Sequence, residues 1–308
     1  MSESAGPAIH TQDLAKRFGH VTALAGLTMT VPRGEVFGFL GPNGAGKTTA
    51  VKLLLGLTAP SAGQAWVLGA PAGDLVARRR IGYLPELFRY QGWLSALEVL
   101  DFHCRLAGMP RSDRANACAE VLALAGLSER SRDRVGTFSK GMQQRLGLAV
   151  ALVAEPELVF LDEPTSALDP VGRHDVRTII RGLRERGTTV FLNSHLLAEV
   201  ELTCDRVAVV DRGKVISFGS IAEVTSGSDV VRLRVTHADG KLPATLRSFG
   251  RADEDGGGWW TVHGVGEEKV PELVAAVVDA GARVYAVEPG RRTLEDRFLE
   301  LLREEEEL

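Results

Sequence analysis

The sequence predicts an α/β domain built on a largely parallel sheet, followed by a small α+β domain. Short apolar runs alternate with longer helical stretches as far as about Val224, an alternation typical of a parallel sheet. The composition then changes at residues 226–229, Ser-Gly-Ser-Asp, which are typical of a short hinge. From residue 226 onward there are 11 basic and 17 acidic residues, a net charge of −6. The first 225 residues contain 25 basic and 23 acidic residues, a net charge of +2. We therefore expect domains at 1–225 and 226–308.

Short apolar runs bounded by turn residues predict the buried strands of the first domain, because strands covered on both faces are apolar throughout. These runs are 36–40, 158–161, 189–192 and 207–210. Two stretches rich in Ala and Leu, 95–108 and 113–126, predict helices that each end at a glycine.

The second domain shows a shorter alternation. Apolar and polar residues alternate over 230–235, which predicts a strand with one buried face. Further strands are expected at 259–262 and 282–287, helices at 241–248, 268–280 and 293–303, and a loop at 253–258. Of the adjacent Trp259 and Trp260, one ring should face inward and one outward, where it could contact a partner.

The last predicted helix carries an apolar stripe, which we interpret as packing within the chain or a dimer rather than as a ligand site. The stripe consists of Leu294, Phe298, Leu299, Leu301 and Leu302. The acidic run 304–307 that follows indicates a solvated helix end.

Composition excludes several classes of protein. The chain has 308 residues, a net charge of −4 and 44% apolar residues, which is ample for a core and unlike a disordered chain. The acidic balance gives no electrostatic reason to bind nucleic acid. The three cysteines have no CxxC spacing and indicate free thiols in a reducing compartment. No apolar run is long enough to span a bilayer, and the N-terminus lacks signal-peptide order, so we expect a soluble, cytoplasmic protein.

A phosphate-binding loop follows the first apolar run. Its eight residues match G-x-x-x-x-G-K-[ST] and lie between a predicted strand and a helix beginning near Lys47. They are Gly41, Pro42, Asn43, Gly44, Ala45, Gly46, Lys47 and Thr48. The glycines let backbone N–H groups wrap a phosphate, Lys47 can reach the β- and γ-phosphates, and Thr48 can ligate Mg²⁺. The sequence therefore predicts a nucleoside triphosphate site, to which Thr49 is also assigned.

Two adjacent carboxylates, Asp162 and Glu163, follow the apolar run 158–161. An apolar parallel strand that ends in carboxylates places them at the edge of the sheet where the phosphate loop also lies. We expect Asp162 to hold Mg²⁺ through water and Glu163 to accept a proton from the attacking water. The pair is a weak signal alone and a strong one beside the loop.

Further segments resemble motifs of the ATP-binding cassette (ABC) proteins over about residues 8–224, and along the chain they follow the order of the family's motifs. Phe18 lies where the family places an aromatic residue that stacks on adenine. Phe138–Arg145 (FSKGMQQR) is similar to the LSGGQ-type signature, and Ser166–Asp169 (SALD) is similar to the D-loop. His195 is similar to the switch histidine. The resemblance implies a P-loop NTPase cassette with a β-rich N-terminal part and a helical subdomain at about 87–145. Taken alone, His195 and Phe18 would more often be ordinary structural residues.

The resemblance implies an ATPase that uses ATP and Mg²⁺ in a head-to-tail dimer. One subunit would supply Lys47, Glu163 and His195. The other would supply Ser139, Lys140 and Gly141 at a helix N-terminus, with Asp169 near the interface. Intact motifs favour a homodimer.

Two departures from the widespread pattern narrow the subfamily. Lys140 and Met142 replace a glycine and a glutamine of the signature, and Glu86 occupies the Q-loop position usually held by glutamine. Both departures recur in ABC-2-type drug, antibiotic and ion exporters. Lys140 either adds charge near the partner's phosphates or lies in solvent. Glu86 could ligate Mg²⁺ and couple the nucleotide site to a membrane partner.

We therefore expect the ATPase subunit of an exporter, bound peripherally at the cytoplasmic face of the membrane through separate polytopic membrane subunits. The segment 86–94 (ELFRYQGWL) is the candidate docking surface, with ordinary helical-subdomain core as the alternative. The C-terminal domain resembles the extension of drug-resistance cassettes. A soluble ABC ATPase acting on ribosomes or DNA is the rival hypothesis, disfavoured by the single set of motifs and the absence of a basic stripe. A P-loop kinase would leave the 138–145 signature unexplained.

Overall fold

The structure is a computed structural model that describes residues 6–226, 230–236, 241–290 and 293–306. The chain divides into two compact units, residues 1–221 and 222–308, which are described separately. The predicted domain boundary lay four residues later, in the hinge, most of which (227–229) falls outside the described residues.

Unit 1 contains two sheets and seven helices in its described residues, and an eighth short helix, α8 (Ile221–Thr225), spans the division. Its strands are β1 (Ile9–Phe18), β2 (Val21–Val31), β3 (Val36–Leu40), β4 (Ala62–Val67), β5 (Ala70–Pro71), β6 (Ile81–Leu84), β7 (Leu158–Asp162), β8 (Thr189–Asn193), β9 (Arg206–Asp211) and β10 (Lys214–Ser220). Its helices are α1 (Lys47–Leu54), α2 (Leu75–Arg78), α3 (Ala96–Leu106), α4 (Arg111–Leu124), α5 (Lys140–Leu152), α6 (Pro170–Glu185) and α7 (Leu197–Thr203).

The central sheet of unit 1 has the order β10-β9-β3-β8-β7-β6 and is parallel except at the edge strand β10. The strands β3, β7 and β8 are buried along their whole length, as their apolar sequences predicted. The predicted α/β fold with a mostly parallel sheet is confirmed. The expected β-rich N-terminal part is the antiparallel sheet β2-β1-β4-β5.

One hydrophobic core joins the two sheets of unit 1 and encloses α1. Within this core the Phe191 ring on β8 lies 5.1–5.7 Å from the rings of Phe37 and Phe39 on β3 and of Phe160 on β7. Burying aromatic rings across strands in this way fixes the sheet that carries the loops above it.

The helical segment α3–α5 begins with a well-capped helix. Ser95 and Glu98 form a reciprocal capping box at the start of α3. Cys104 on α3 and Cys118 on α4 are buried with their Sγ atoms 3.8 Å apart, although 14 residues separate them in the sequence. All three cysteines are free thiols.

The described residues of unit 2 form one four-stranded antiparallel sheet of order β12-β13-β11-β14. Its elements are β11 (Val230–Thr236), α9 (Leu242–Phe249), β12 (Ala252–Gly256), β13 (Trp259–His263), α10 (Val270–Asp279), β14 (Arg283–Pro289) and α11 (Leu294–Glu306). The order βαββαβ encloses a small core between one face of the sheet and the helices α9 and α10.

The loop expected at 253–258 was wrong, because 252–256 is the edge strand β12. Its pairing with β13 outweighs the poor strand propensity of Asp and Gly, and only Gly257 and Gly258 form the turn. The pair of tryptophans behaves as predicted, with Trp260 buried and Trp259 half-buried. In α11, Leu294 and Leu301 are buried whereas Leu299 lies largely in solvent, so the stripe is narrower than expected.

Across the described parts of the chain, no helix combines the length and the hydrophobicity needed to cross a bilayer.

Candidate functional site

The phosphate loop joins the buried strand β3 to helix α1, as predicted. Gly46 precedes α1 with φ +98°, and a Cβ there would lie 2.2 Å from the Ala23 carbonyl oxygen. A Cβ on Gly41 would lie 2.2 Å from the Val210 carbonyl oxygen. Only glycine fits both positions, because the loop is pressed between β9 and the β1–β2 hairpin. No side chain caps α1, so its first N–H groups are not occupied by a cap.

Lys47 folds back over the loop. Its Nζ donates to the Gly41 carbonyl oxygen at 2.7 Å and to the Pro42 carbonyl oxygen at 3.1 Å. Burial lowers the pKa of Lys47, and the neighbouring carboxylates Glu163, Asp162 and Glu86 oppose that shift. The Lys47 ammonium group therefore lies at the opening of the phosphate-binding loop.

The acidic edge is set by the register of β7 and β8. Asp162 lies opposite Asn193 in that parallel pair, and Asn193 Nδ2 donates to Asp162 Oδ1 at 2.6 Å. Burial raises the pKa of Asp162, with the hydrogen bond from Asn193 acting against it and the nearby carboxylate of Glu86 adding to it. A cation or a donor brought into the cavity would favour the ionised form.

Glu163 adopts a left-handed backbone conformation with φ +53°. Such a conformation costs a non-glycine residue about 1–3 kcal/mol and persists only where its surroundings impose it. The Glu163 N–H donates to the Asn193 carbonyl oxygen at 2.8 Å, and Glu163 Oε1 accepts from the His195 N–H at 2.9 Å. These bonds turn the carboxylate towards the end of β8.

His195 lies beside the same carboxylate. Its Nδ1 is 2.8 Å from Glu163 Oε2, an ion-pair distance when the imidazole is protonated. The Oε2 atom is nevertheless buried and accepts no well-aligned hydrogen bond from the described residues. One lone pair of Glu163 therefore remains to accept a proton.

Gln144 of α5 fixes the backbone after β7. Its buried Nε2 donates to the Pro164 carbonyl oxygen at 3.1 Å and to the Glu163 carbonyl oxygen at 3.4 Å. The signature segment, through Gln144 in the first turns of α5, thus contacts the backbone that carries the candidate base.

A cavity of about 470 Å³ brings these groups together. It is lined by Val21, Thr22, Ala23, Asn43, Gly44, Gly46, Lys47, Thr48, Thr49, Glu86, Asp162, Glu163, Asn193 and His195. Backbone N–H groups and an ammonium face carboxylates across it, an arrangement suited to a phosphoanhydride with a water placed next to a base.

The cavity also suits a magnesium ion. Across the described residues, no group of three His, Cys, Asp or Glu side chains forms a ready-made metal cage. The oxygen donors Thr48, Glu86 and Asp162 line the same cavity as the phosphate loop. Because Mg²⁺ prefers oxygen ligands and often completes its shell with substrate phosphates and water, these residues fit an ion held jointly with a triphosphate.

Several residues predicted for the site do not line this cavity. Phe18 ends β1 with 53% of its surface exposed and pairs with Val21, which does line it. Ser139 and Asp169 are the N-caps of α5 and α6, accepting from the N–H groups of Met142 and Gly172 at 3.2 and 2.8 Å. The remaining residues outside the lining are Gly41, Pro42, Ala45, Lys140 and Gly141. Their roles stay predictions.

Sequence reasoning missed Asn193, Gln144 and residues 21–23 at the start of β2. Asn193 had a signal, since an amide follows an apolar run one strand away from Asp162. Gln144 is a buried polar residue on a helix, and its partner is 20 positions away, which no local pattern reveals. The start of β2, residues 21–23, reaches the cavity only through the tertiary fold.

Comparisons with known proteins agree with this geometry. Residues 24–166 match the family described as ABC transporter. An uncharacterized ABC transporter ATP-binding protein of Synechocystis is 41% identical over 286 residues, covering 92% of this chain and 79% of the relative. The bacitracin transport ATP-binding protein BcrA of Bacillus licheniformis is 41% identical over 211 residues, 68% of each chain.

A solved dimeric structure of an ATP-binding cassette with ADP and Pi bound is also similar. It is 24% identical, with a TM-score of 0.63 over 69% of this chain and 98% of that chain. The likeness confirms the predicted P-loop cassette fold.

Replacing Gln144 with Leu should lower the rate of ATP hydrolysis about tenfold or more, with little change in ATP affinity. Leu has a similar volume but cannot donate to the carbonyl oxygens of Glu163 and Pro164, so the backbone carrying the base is no longer held. Steady-state hydrolysis and nucleotide titration would measure both quantities.

Gln143→Leu is the matched control, because Gln143 Nε2 donates to the Phe138 carbonyl oxygen instead. Equal losses in the two variants would show a general weakening of α5 and contradict a positioning role for Gln144.

Proposed function

Because this chain belongs to the family of ABC transporter ATP-binding proteins, we propose that it hydrolyses ATP as the cassette subunit of an ABC-2-type exporter. The observation that carries the proposal is the single cavity lined by Lys47, Asp162, Glu163 and His195. The triphosphate would lie along the loop, with its β- and γ-phosphates near Lys47 and the N-terminus of α1.

Hydrolysis requires a water in line with the γ-phosphate. We propose that Glu163 accepts a proton from that water as its oxygen bonds to the γ-phosphorus and the bond to the β–γ bridging oxygen breaks, giving ADP and phosphate. His195, beside Glu163 Oε2, would hold the carboxylate and the water in position.

Thr48, Asp162 and Glu86 are the proposed holders of Mg²⁺, which would neutralise phosphate charge when bound. In the same proposal Asn193 keeps Asp162 oriented. Glu86 is exposed at the end of β6, which makes it the residue through which the cavity would sense a membrane partner.

The proposed active form is a head-to-tail dimer. Ser139 and Gly141 lie at the N-terminus of α5, outside the cavity lining of their own subunit. The Ser139 hydroxyl accepts from one N–H group of that helix, that of Met142, and the exposed helix end is suited to the γ-phosphate of ATP on a second copy. Lys140 is exposed at the same end.

Export through separate membrane subunits, at the cytoplasmic face, rests on the FSKGM signature, on Glu86 and on similarity to a bacitracin transport protein. Within the segment 86–94, Leu87 and Trp93 are 88% and 72% exposed. Phe88 instead packs against Gly147 of α5 and lies 5.4 Å from the Tyr90 ring. We propose Leu87 and Trp93 as the docking residues, with Phe88 and Tyr90 as helical-segment core.

Glu163→Gln should reduce ATP turnover by about 10²–10⁴-fold while ATP still binds within about threefold of the native affinity. The amide has the same shape but cannot accept the proton. Phosphate release and nucleotide titration would measure the two effects. Glu185→Gln, at the exposed end of α6, is the control. A Glu163→Gln enzyme that retains more than a tenth of the native rate would refute the base assignment.

Ser139→Ala, made in the Glu163→Gln background, should weaken ATP-dependent dimerisation by about tenfold. The change removes a cap worth about 1 kcal/mol and a hydroxyl at the proposed partner phosphate. Analytical ultracentrifugation with and without ATP would measure it.

Ser95→Ala removes a comparable cap, that of α3, and serves as the control for lost helix stability. If both variants dimerise equally well, Ser139 does not contact nucleotide on a partner.

A double variant, Leu87→Ser with Trp93→Ala, should lose co-purification with the proposed membrane subunits. Both side chains are exposed, so the free energy of unfolding should change by less than about 0.5 kcal/mol for each. Phe88→Ala is the contrast, expected to destabilise by about 2–4 kcal/mol because its ring fills space beside Gly147. Normal co-purification of the double variant would exclude these two residues as the docking surface.

A further inference from the structure

The sheet of unit 2 has one covered and one open face. Val231, Leu233 and Val235 of β11 point to the core with α9 and α10, so the alternate residues Arg232 and Arg234 stand on the other face. They are exposed there, and the half-buried Trp259 of β13 lies on the same face beside them.

Arg232 is already neutralised on this open face. Its guanidinium lies 3.8 Å from Asp255 Oδ2 and 3.6 Å from Glu288 Oε2. The Arg232 guanidinium also lies 4.8 Å from the Trp259 ring centroid. It therefore packs against that ring while the two carboxylates balance its charge.

Arg234 has a different environment. Its guanidinium lies 5.9 Å from the Trp259 ring and 5.8 Å from the Tyr285 ring, between two aromatic groups. Among the described residues it has no carboxylate partner. Tyr285 is 56% exposed, a large aromatic surface left in water beside a cation. The guanidinium N–H donors of Arg234 are therefore available to a ligand.

The charge pattern limits what the ligand can be. Asp253 pairs with Arg251 and His263, and Asp255 and Glu288 flank Arg232, so both edge strands, β12 and β14, contribute acidic groups to the surroundings of Arg232. Exposed Arg283, opposite Thr236 at the start of β14, likewise has no carboxylate partner among the described residues. A polyanion such as nucleic acid would meet the carboxylates, whereas a small ligand with one anionic group would not.

We propose that this face binds a small planar aromatic compound carrying one carboxylate or phosphate group. Arg234 would pair with the anionic group through its guanidinium fork, and the ring would stack on Tyr285 with Trp259 as the second wall. The site belongs to unit 2 and is independent of the ATP cavity and of the function proposed for it.

Isothermal titration of the full chain, saturated with ADP to fill the phosphate loop, would test the site. Indole-3-carboxylate and 1-naphthyl phosphate are the probes, and they separate a carboxylate from a phosphate ligand. At least one should bind with a dissociation constant on the order of 0.1–1 mM. Uncharged indole and non-aromatic cyclohexanecarboxylate should each bind at least about tenfold more weakly.

Arg234→Gln should weaken binding of the preferred probe by about tenfold or more, and Tyr285→Ala by several-fold. Arg247→Gln is the matched control, because Arg247 is exposed on α9 and carries the same charge in the same unit. Circular dichroism and the rate of ATP hydrolysis would verify folding of each variant.

The proposal is wrong if neither probe binds more tightly than indole, or if Arg234→Gln and Arg247→Gln bind the preferred probe equally. It is also wrong if Arg234→Gln changes only the oligomeric state of a protein that binds neither probe, since the face would then be a subunit contact.

Discussion

Parallel pairing of β3, β7 and β8 is the constraint on which the rest of unit 1 depends. Strands that run in one direction end at the same edge of the sheet. The phosphate loop after β3, Asp162 at the end of β7 and His195 after β8 therefore meet at that edge, although they are far apart in the sequence. The buried phenylalanine cluster beneath this edge keeps the strands in register. A shift of one residue would turn Asp162 away from Asn193.

Burial destabilises the charged forms of two groups in the cavity, and a bound ligand of suitable charge would relieve this cost. Burial disfavours both the Lys47 ammonium and the Asp162 carboxylate, and each is stabilised partly by the opposite charge of the other. Glu163 adds backbone strain, held by bonds from β8 and α5. Preorganised charged groups of this kind are the usual physical basis of phosphoryl-transfer catalysis.

Unit 2 follows a different logic. Its antiparallel sheet needs only one covered face, and the other remains available for side chains that pack poorly in a core. Arg232, Arg234 and Trp259 share that face because strand alternation places them there, and cross-strand pairing sets Arg234 opposite Trp259. Alternation was visible in the sequence of β11. The partner strand was not, because the pairing with β13 joins residues more than 20 positions apart.

The sequence by itself determined the local elements with strong internal signals: the G-x-x-x-x-G-K-T loop, the apolar parallel strands, the two carboxylates and the capped helices. Each of these depends on neighbours within a few residues. The tertiary structure alone decided that Gln144 supports Glu163, that the start of β2 lines the cavity, that Cys104 meets Cys118, and that 252–256 is a strand. Those outcomes depend on packing and pairing between distant segments, whose energies no local pattern records.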